Sequence, residues 1–470
     1  MAAELEKEAN RARAGAGVAT AAAFLERATT LTLDPGRRAE RALAAAQAKQ
    51  EAGAYDAALA LLEGAEAGSL NEMQQARAGL LRGRVAFALH HGQGAVPLML
   101  RAASEFEPVA PALARETYLE ALSAALIAGR LADGEGLLDA GPAVRLACPP
   151  PEPGRPTDLL LDGLALLITD GYAPAVPLLT RALSAFGSPD LPVTDGLRWL
   201  WLAGHAAGLM WDFRSWDSIS ARFVQLGRET GTLTVLPVAL STRAGARLFA
   251  GDLAAAASLG WEEAAVAQAT GSKIAPYASL GLAAFQGQES DAFRLIKSGT
   301  EDVLRRGEGA GLSFIQWAAA LLHNGLGRYQ EALDWARQAS DDSRAQRFAG
   351  WALAELVEAA AGVGDRDQAF GALQRLREGT RASATDWALG IEARSLALLS
   401  NGETAERLYR EAIDRLGRTP AAPRSRPRTP AVWRMAEPPA APTGRARAAA
   451  AGACHVHRLR HGRVRRTGAG

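Results

Sequence analysis

The sequence predicts an all-α fold: a right-handed superhelical solenoid of stacked helical hairpins. Three observations carry that prediction. First, a glycine followed by an anchor two positions later and a small residue five positions later recurs along the chain. It reads Gly53-Ala-Tyr55-Asp-Ala-Ala58, Gly251-Asp-Leu253-Ala-Ala-Ala256, Gly287-Gln-Glu289-Ser-Asp-Ala292, Gly327-Arg-Tyr329-Gln-Glu-Ala332 and Gly364-Asp-Arg366-Asp-Gln-Ala369. Gly129-Arg-Leu131 is a partial copy, and weaker ones sit near Gly92, Gly171, Asp212 and Gly402. From Gly53 to Gly402 is 349 residues in nine steps, a period of about 39, in the range of helical-pair repeats. Second, alanine and leucine dominate while β-branched residues are scarce, the composition of packed helices. Third, apolar residues on both sides of each glycine turn fall at steps of three and four.

Residues 1–36 read as the leading helices of the array. The amino terminus, Met1-Ala-Ala-Glu-Leu-Glu-Lys-Glu8, is charged helix rather than a signal peptide. Residues 37–417 form the repeat array, and the unit around Gly327 shows its logic. Leu312, Ile315, Ala319 and Leu322 make one helical stripe. Gly325 and Gly327 punctuate, and Tyr329, Ala332, Leu333, Ala336 and Ala339 make a second stripe. Alanine at 332 lets the two helices approach closely, while Tyr329 wedges the turn against its neighbour. Such a hairpin cannot bury both apolar faces alone, so copies stack. Ala95-Val-Pro-Leu98 recurs as Ala175-Val-Pro-Leu178, with the proline in the first turn of a second helix. Cys148-Pro-Pro-Pro-Glu-Pro-Gly-Arg-Pro156 cannot be helix and reads as an exposed connection between two repeats.

Residues 418–470 differ in kind. From 421 onward there are eleven arginines against one acid, Glu437, so the tail carries about +10. The net charge of +1 then leaves the body near 1 − 10 = −9. With six prolines and few aliphatic anchors, the tail is expected to be disordered.

Bulk features exclude several function classes. Cys148 and Cys454 can build neither a disulfide framework nor a CxxC metal pair, which suits a reducing cytoplasm. No run of about 18 apolar residues exists to span a membrane. No catalytic set emerges: there is no GxSxG elbow and no spaced Ser/His/Asp set. The pairs Glu262-Glu263 and Asp341-Asp342 read as solvated helix faces or caps. His90-His91 reads as a surface or capping pair, and Cys454-His455-Val-His457 lacks a second cluster to complete a metal site. No enzyme activity, metal or cofactor is expected. The candidate ligand site is aromatic: Trp199, Trp201, Trp211 and Trp216, with His205 one turn after Trp201 and Arg198, Arg214 and Trp261 nearby. Tryptophan offers large rigid contact area and one donor, as effector pockets use. The same residues also fit a plainer role as wedges between helices.

The repeats resemble tetratricopeptide arrays, at a longer period than their usual 34 residues. More specifically, Glu8-Ala-Asn-Arg-Ala-Arg-Ala14, Ala21-Ala-Ala-Phe-Leu-Glu-Arg-Ala28 and Asp34-Pro-Gly-Arg-Arg38 are similar to the start of the sensor region in actinobacterial LuxR-type large ATP-binding transcriptional regulators, relatives of the maltose-regulon activator. Ala405-Glu-Arg-Leu-Tyr-Arg-Glu-Ala-Ile-Asp-Arg-Leu-Gly417 is similar to its end. The resemblance spans roughly residues 8 to 420. It implies effector or partner sensing within a regulator whose ATPase and helix-turn-helix modules lie outside this chain. No GxxxxGK[ST] loop occurs, and no Gly-Lys pair at all, so ATP hydrolysis is not carried over. DNA is expected to be reached only through the absent module. Reading Ala421 to Arg434, and again Cys454 to Arg466, one base out of frame with GC-rich codons gives strings resembling helices of that family. The resemblance thus implies a truncated product with a frameshifted tail; a basic nucleic-acid arm is the alternative. For the body, the expected partner is a protein or small-molecule effector in the groove of the array. The alternative function is a free-standing tetratricopeptide-like adaptor for partner peptides.

Overall fold

The computed structural model describes residues 1–14, 17–68, 70–90, 94–132, 136–150, 154–341 and 345–419. The expected disordered tail falls outside them, apart from Arg418 and Thr419. So do His91, Asp342 and the Cys454-His455-Val-His457 segment. The described residues hold twenty-two α-helices and no strand, arranged as a tetratricopeptide-like solenoid of eleven successive helix pairs.

The pairs are α1 (Ala2–Ala14) with α2 (Val18–Thr30), α3 (Pro35–Glu51) with α4 (Tyr55–Glu66), and α5 (Glu72–Leu89) with α6 (Ala95–Phe106). Then come α7 (Pro111–Ala128) with α8 (Leu137–Leu146), α9 (Pro156–Thr169) with α10 (Tyr172–Phe186), and α11 (Val193–Leu209) with α12 (Phe213–Glu229). The second half is α13 (Leu236–Phe249) with α14 (Leu253–Thr270), α15 (Tyr277–Gln286) with α16 (Glu289–Arg306), and α17 (Gly309–Gly325) with α18 (Tyr329–Ser340). It ends in α19 (Arg347–Val363) with α20 (Arg366–Ser383), and α21 (Asp386–Leu398) with α22 (Gly402–Arg418). From Pro35 to Asp386 is 351 residues in nine pairs, again 39 on average. The connection between α8 and α9 falls in the proline run, but Pro156, expected outside any helix, is the first residue of α9, where its missing N–H leaves no intrahelical bond unmade.

Two layers follow from composition. The first helices of successive pairs pack side by side, α11 on α13, α15 on α17, α17 on α19 and α19 on α21, and form the inner wall. They are apolar around most of their circumference: in α19 every residue from Trp351 to Ala360 is buried. The second helices are amphipathic and outer, each burying one stripe, such as Ala332, Leu333, Ala336 and Ala339 in α18. Tyr329 does wedge against its neighbour: its ring lies over Gly362 of α19, where a Cβ would collide with it.

The turn glycines take the left-handed conformation that the pattern requires, as at Gly251 (φ 74°) and Gly327 (φ 73°). The weak copy near Asp212 shows why it is weak: Trp211 occupies the glycine position, at φ 51°. A bulky side chain is strained there and persists only where its surroundings hold it.

The superhelix is wound tightly enough to touch itself. The turn Gly129–Leu131 after α7 meets α17, and Gly309 packs so closely on the Ala128 carbonyl that no Cβ would fit. Arg130 donates to the Gln338 carbonyl at 2.7 Å and to the Gln316 side chain, and Gln346 donates to the Leu126 carbonyl. One level on, α11 meets α19: Trp351 Nε1 donates to the Gly208 carbonyl at 3.3 Å. Next, α10 meets α20, with the Tyr172 ring over Gly379. A simple solenoid contacts only its neighbours. Here the first and last thirds are joined, and the groove between them becomes an interior. No helix among the described residues is long and apolar enough to cross a membrane.

Candidate ligand cavity

An axial cavity of about 940 Å³ lies inside the closed turn. Its wall comes mostly from the first helices of the pairs, α3, α5, α7, α11, α13, α15, α17 and α19, with Met99 of α6, Trp216 and Phe223 of α12 and Arg306 of α16 reaching in from the second helices. The middle is aromatic: Trp199, Trp201, Trp216, Phe249, Phe314, Trp317, Phe348 and Trp351 all line it. Behind the lining, rings interlock along the axis. Trp216 stacks on Trp387 with centroids 6.0 Å apart, and Phe249 contacts Trp351 at 4.8 Å. Such pairs add stability beyond the area they bury, so this floor is stiff.

The five sequence-predicted residues have three fates. Trp201 is partly buried and Trp199, 3% exposed, lies beneath the Arg198 guanidinium, 4.7 Å from its ring centroid; both line the cavity. His205 and Trp216 also line it, though both are buried. Trp211 does not. Its ring sits in the floor, edge-on to Trp387 at 5.1 Å, and its backbone is the strained turn described above. The neighbours Trp261 and Arg214 are exposed and lie away from the cavity.

His205 Nε2 is 2.9 Å from the Ala345 carbonyl, which can only accept, so Nε2 carries the proton and Nδ1 the lone pair. Burial, reinforced by the Arg347 charge, pushes His205 down to about 3, leaving it neutral.

Both ends of the cavity are polar. At one end a ladder of alternating charge crosses four helices. Arg84 pairs with Glu120 at 2.6 Å, Glu120 with Arg198, and Arg198 with Glu116 at 3.3 Å. It continues through Arg155 and Glu116 at 2.7 Å, then Arg155 and Asp158 at 3.0 Å, to Arg115. Arg115 is buried and holds Asp158 and Asp162, each at 2.7 Å. Burial alone would raise the Asp158 carboxyl; hydrogen bonds from Arg155 and Arg115 reverse that and hold it below the usual carboxylate range. At the other end Arg306 pairs with Glu308 at 2.7 Å, and Tyr277 donates to the same carboxylate.

Arg347 stands apart. It is the first residue of α19, and its stem crosses Gly208 of α11, where a Cβ would come within 2.9 Å. Its guanidinium carbon is 4.6 Å from the Phe348 ring centroid, 5.6 Å from Trp351 and 5.8 Å from Trp216. Its Nε is buried without an acceptor, and burial lowers the group to about 10. Sequence reading missed Arg347 and the aromatic residues of the second half. One signal was present: Phe249, Phe285, Trp317, Trp351 and Trp387 recur at steps of 36, 32, 34 and 36, one aromatic per inner helix.

Another expectation is corrected here. Glu262 does lie on an open face, paired with Arg228 at 2.5 Å. Glu263 does not: it is 3% exposed with one carboxylate oxygen buried and unpartnered, and burial pushes it up to about 8, only partly offset by Ser241 and the Ala278 backbone. Adjacent helical residues point about 100° apart, so a pair of acids need not share an environment. Among the described residues no three His, Cys, Asp or Glu side chains converge to hold a metal.

No family model matches the chain, and no curated protein matches it. Solved structures do, at low identity. Yeast Tom70 is 12% identical with a TM-score of 0.29, covering 97% of this chain and 96% of that one. A Rap protein complexed with Competence and Sporulation Factor is 13% identical with a TM-score of 0.30, covering 81% and 90%. The APC/C hetero-tetramer Cut9-Hcn1 is 14% identical with a TM-score of 0.26, covering 92% and 96%. Matches this loose say nothing about what the cavity holds.

Proposed function

We infer that this chain is a sensing module whose effector is a small molecule bound in the axial cavity, and that it serves a transcriptional regulator of the LuxR-type large ATP-binding kind. The observation carrying the first half is self-contact. Tetratricopeptide-like adaptors would lay a peptide along an open concave groove, and contacts from Arg130 to Gln338 and from Gly208 to Trp351 bridge that groove. What remains has the volume and aromatic lining of a small-molecule site, about 300–1,000 Å³ with a few polar groups. Closure also gives sensing a physical route. A ligand that touches both α11 and α19 favours the closed turn by its differential affinity for it.

Equilibrium dialysis of the protein against a small-molecule extract of its source cells tests this. A compound retained by the wild type and lost in Trp201→Ala is the expected result. Retention of nothing, alongside a protein partner captured equally by both forms, would favour the adaptor. The regulator half rests on resemblance and is read in the gene's neighbourhood. A phosphate-loop module upstream and a helix-turn-helix downstream, in any frame, are expected; their absence from both flanks would contradict it.

A further inference from the structure

We propose that the cavity selects a flat, largely apolar ligand bearing a single negative charge, most simply a monocarboxylate, and that Arg347 is the residue that reads that charge. The assignment rests on the small-molecule reading above and names its chemistry. Four arginines line the cavity. Arg84 and Arg198 hold Glu120, and Arg306 holds Glu308. Arg347 holds no carboxylate among the described residues, and its Nε is buried without an acceptor. Arg347 as a whole is half-buried, but a guanidinium N–H taken out of water, as its Nε is, ordinarily finds an acceptor because its desolvation is otherwise uncompensated. The rings of Phe348, Trp351 and Trp216 supply part of what water would, but they cannot accept the in-plane N–H bonds of a guanidinium. A planar carboxylate can, in two parallel bonds.

Two further observations favour a single charge. His205, whose ring feels the Arg347 charge, is held neutral and adds no second cation, and Lys273, the remaining basic group on the lining, is exposed. The amino-terminal end of α19, where Arg347 sits, favours an anion but contributes only about half a charge. A dianion such as a phosphate monoester would leave net negative charge in an aromatic box. The tryptophan and phenylalanine faces beside Arg347 set the rest of the preference, for planar apolar bodies.

The test uses 1-pyrenebutyrate and the neutral 1-pyrenebutanol, with energy transfer from the cavity tryptophans reporting binding. The acid is expected to bind wild type about tenfold or more tighter than the alcohol, the worth of a charge-assisted hydrogen bond. In Arg347→Met the acid should fall to the affinity of the alcohol, and the alcohol should be unchanged. Alcohol binding thus shows that the variant is folded; Arg347→Lys, which keeps the charge, should retain part of the preference. Equal binding of acid and alcohol to wild type, or a preference that survives in Arg347→Met, overturns the anion assignment alone. Failure of both pyrenes to enter overturns it together with the small-molecule reading.

Discussion

The Thr385 hydroxyl donates to the carbonyl of Trp211, 2.7 Å away and 174 residues earlier in the chain. The same oxygen accepts from the Ala388 amide and caps α21. A single side chain therefore starts the eleventh hairpin and pins the one strained tryptophan of the sixth. Thr385→Val is expected to lose both bonds and about 1–2 kcal/mol of stability, while Thr385→Ser loses much less. Urea unfolding followed by circular dichroism measures the difference. Equal stability of Val and wild type would show that the two hairpins are not coupled there.

Gly309 makes a sharper prediction about closure. A methyl group there would strike the Ala128 carbonyl, so Gly309→Ala must push α17 away from the Gly129 turn at a cost of about 1–3 kcal/mol. Gly371 is exposed in the middle of α20 with nothing near its Cβ position, and Gly371→Ala should gain about 0.5–1 kcal/mol. Opposite signs from one chemical change separate a packing effect from helix propensity. The same sign for both would remove the close approach.

Two buried groups give opposite pH dependences. Glu263 is raised to about 8 from an ordinary value near 4.5, so the folded state holds a proton the unfolded state releases. Its contribution is full below about 4.5 and disappears as pH rises through 8, by up to about 1.4 kcal/mol per unit. Glu263→Gln should flatten that decline. His205 is lowered to about 3 from 6.5, so its contribution is full above 6.5 and disappears as pH falls toward 3. His205→Gln should flatten the acid side only. Unfolding free energies measured from pH 4 to 9 distinguish the two; a glutamine variant that leaves the corresponding limb unchanged would contradict the burial of that group.

Arg115 is buried with Asp158, and Asp162 pairs with it from a half-buried position, at the end of the charge ladder. Arg115→Met strands Asp158, itself 2% exposed, as a buried anion with only Arg155 left. A loss of about 3–5 kcal/mol is expected, most of it recovered when Asp158→Asn is added. Additive losses in the double variant would show that the pair does not interact.

Much of the architecture was legible because hairpin turns are local. A left-handed glycine, an anchor and an alanine are enough to mark each turn, and the 39-residue period survives intact. The pitch of the superhelix was not legible. It accumulates from small rotations at every pair, and the contacts that reveal it, Arg130 to Gln338 or Gln346 to Leu126, join residues with no mark of their own. Hence four of the five predicted site residues do line the cavity, while the half contributed by α17 and α19, Arg347 included, went unread. Trp211 lies off the cavity for a local reason: this tryptophan stands in a glycine's place in a turn, and its ring packs into the floor against Trp387.

Closure is the claim on which cavity, ligand and sensing all depend, and one cross-link tests it. In a background with Cys148→Ser and Cys454→Ser, cysteines at 130 and 338 should be joined within one chain by a short bismaleimide, rapidly and in near-complete yield at high dilution. Cross-linking that occurs only between chains, or not at all while a control pair within the α17–α18 hairpin reacts fully, would mean that the first and last thirds of the solenoid do not meet.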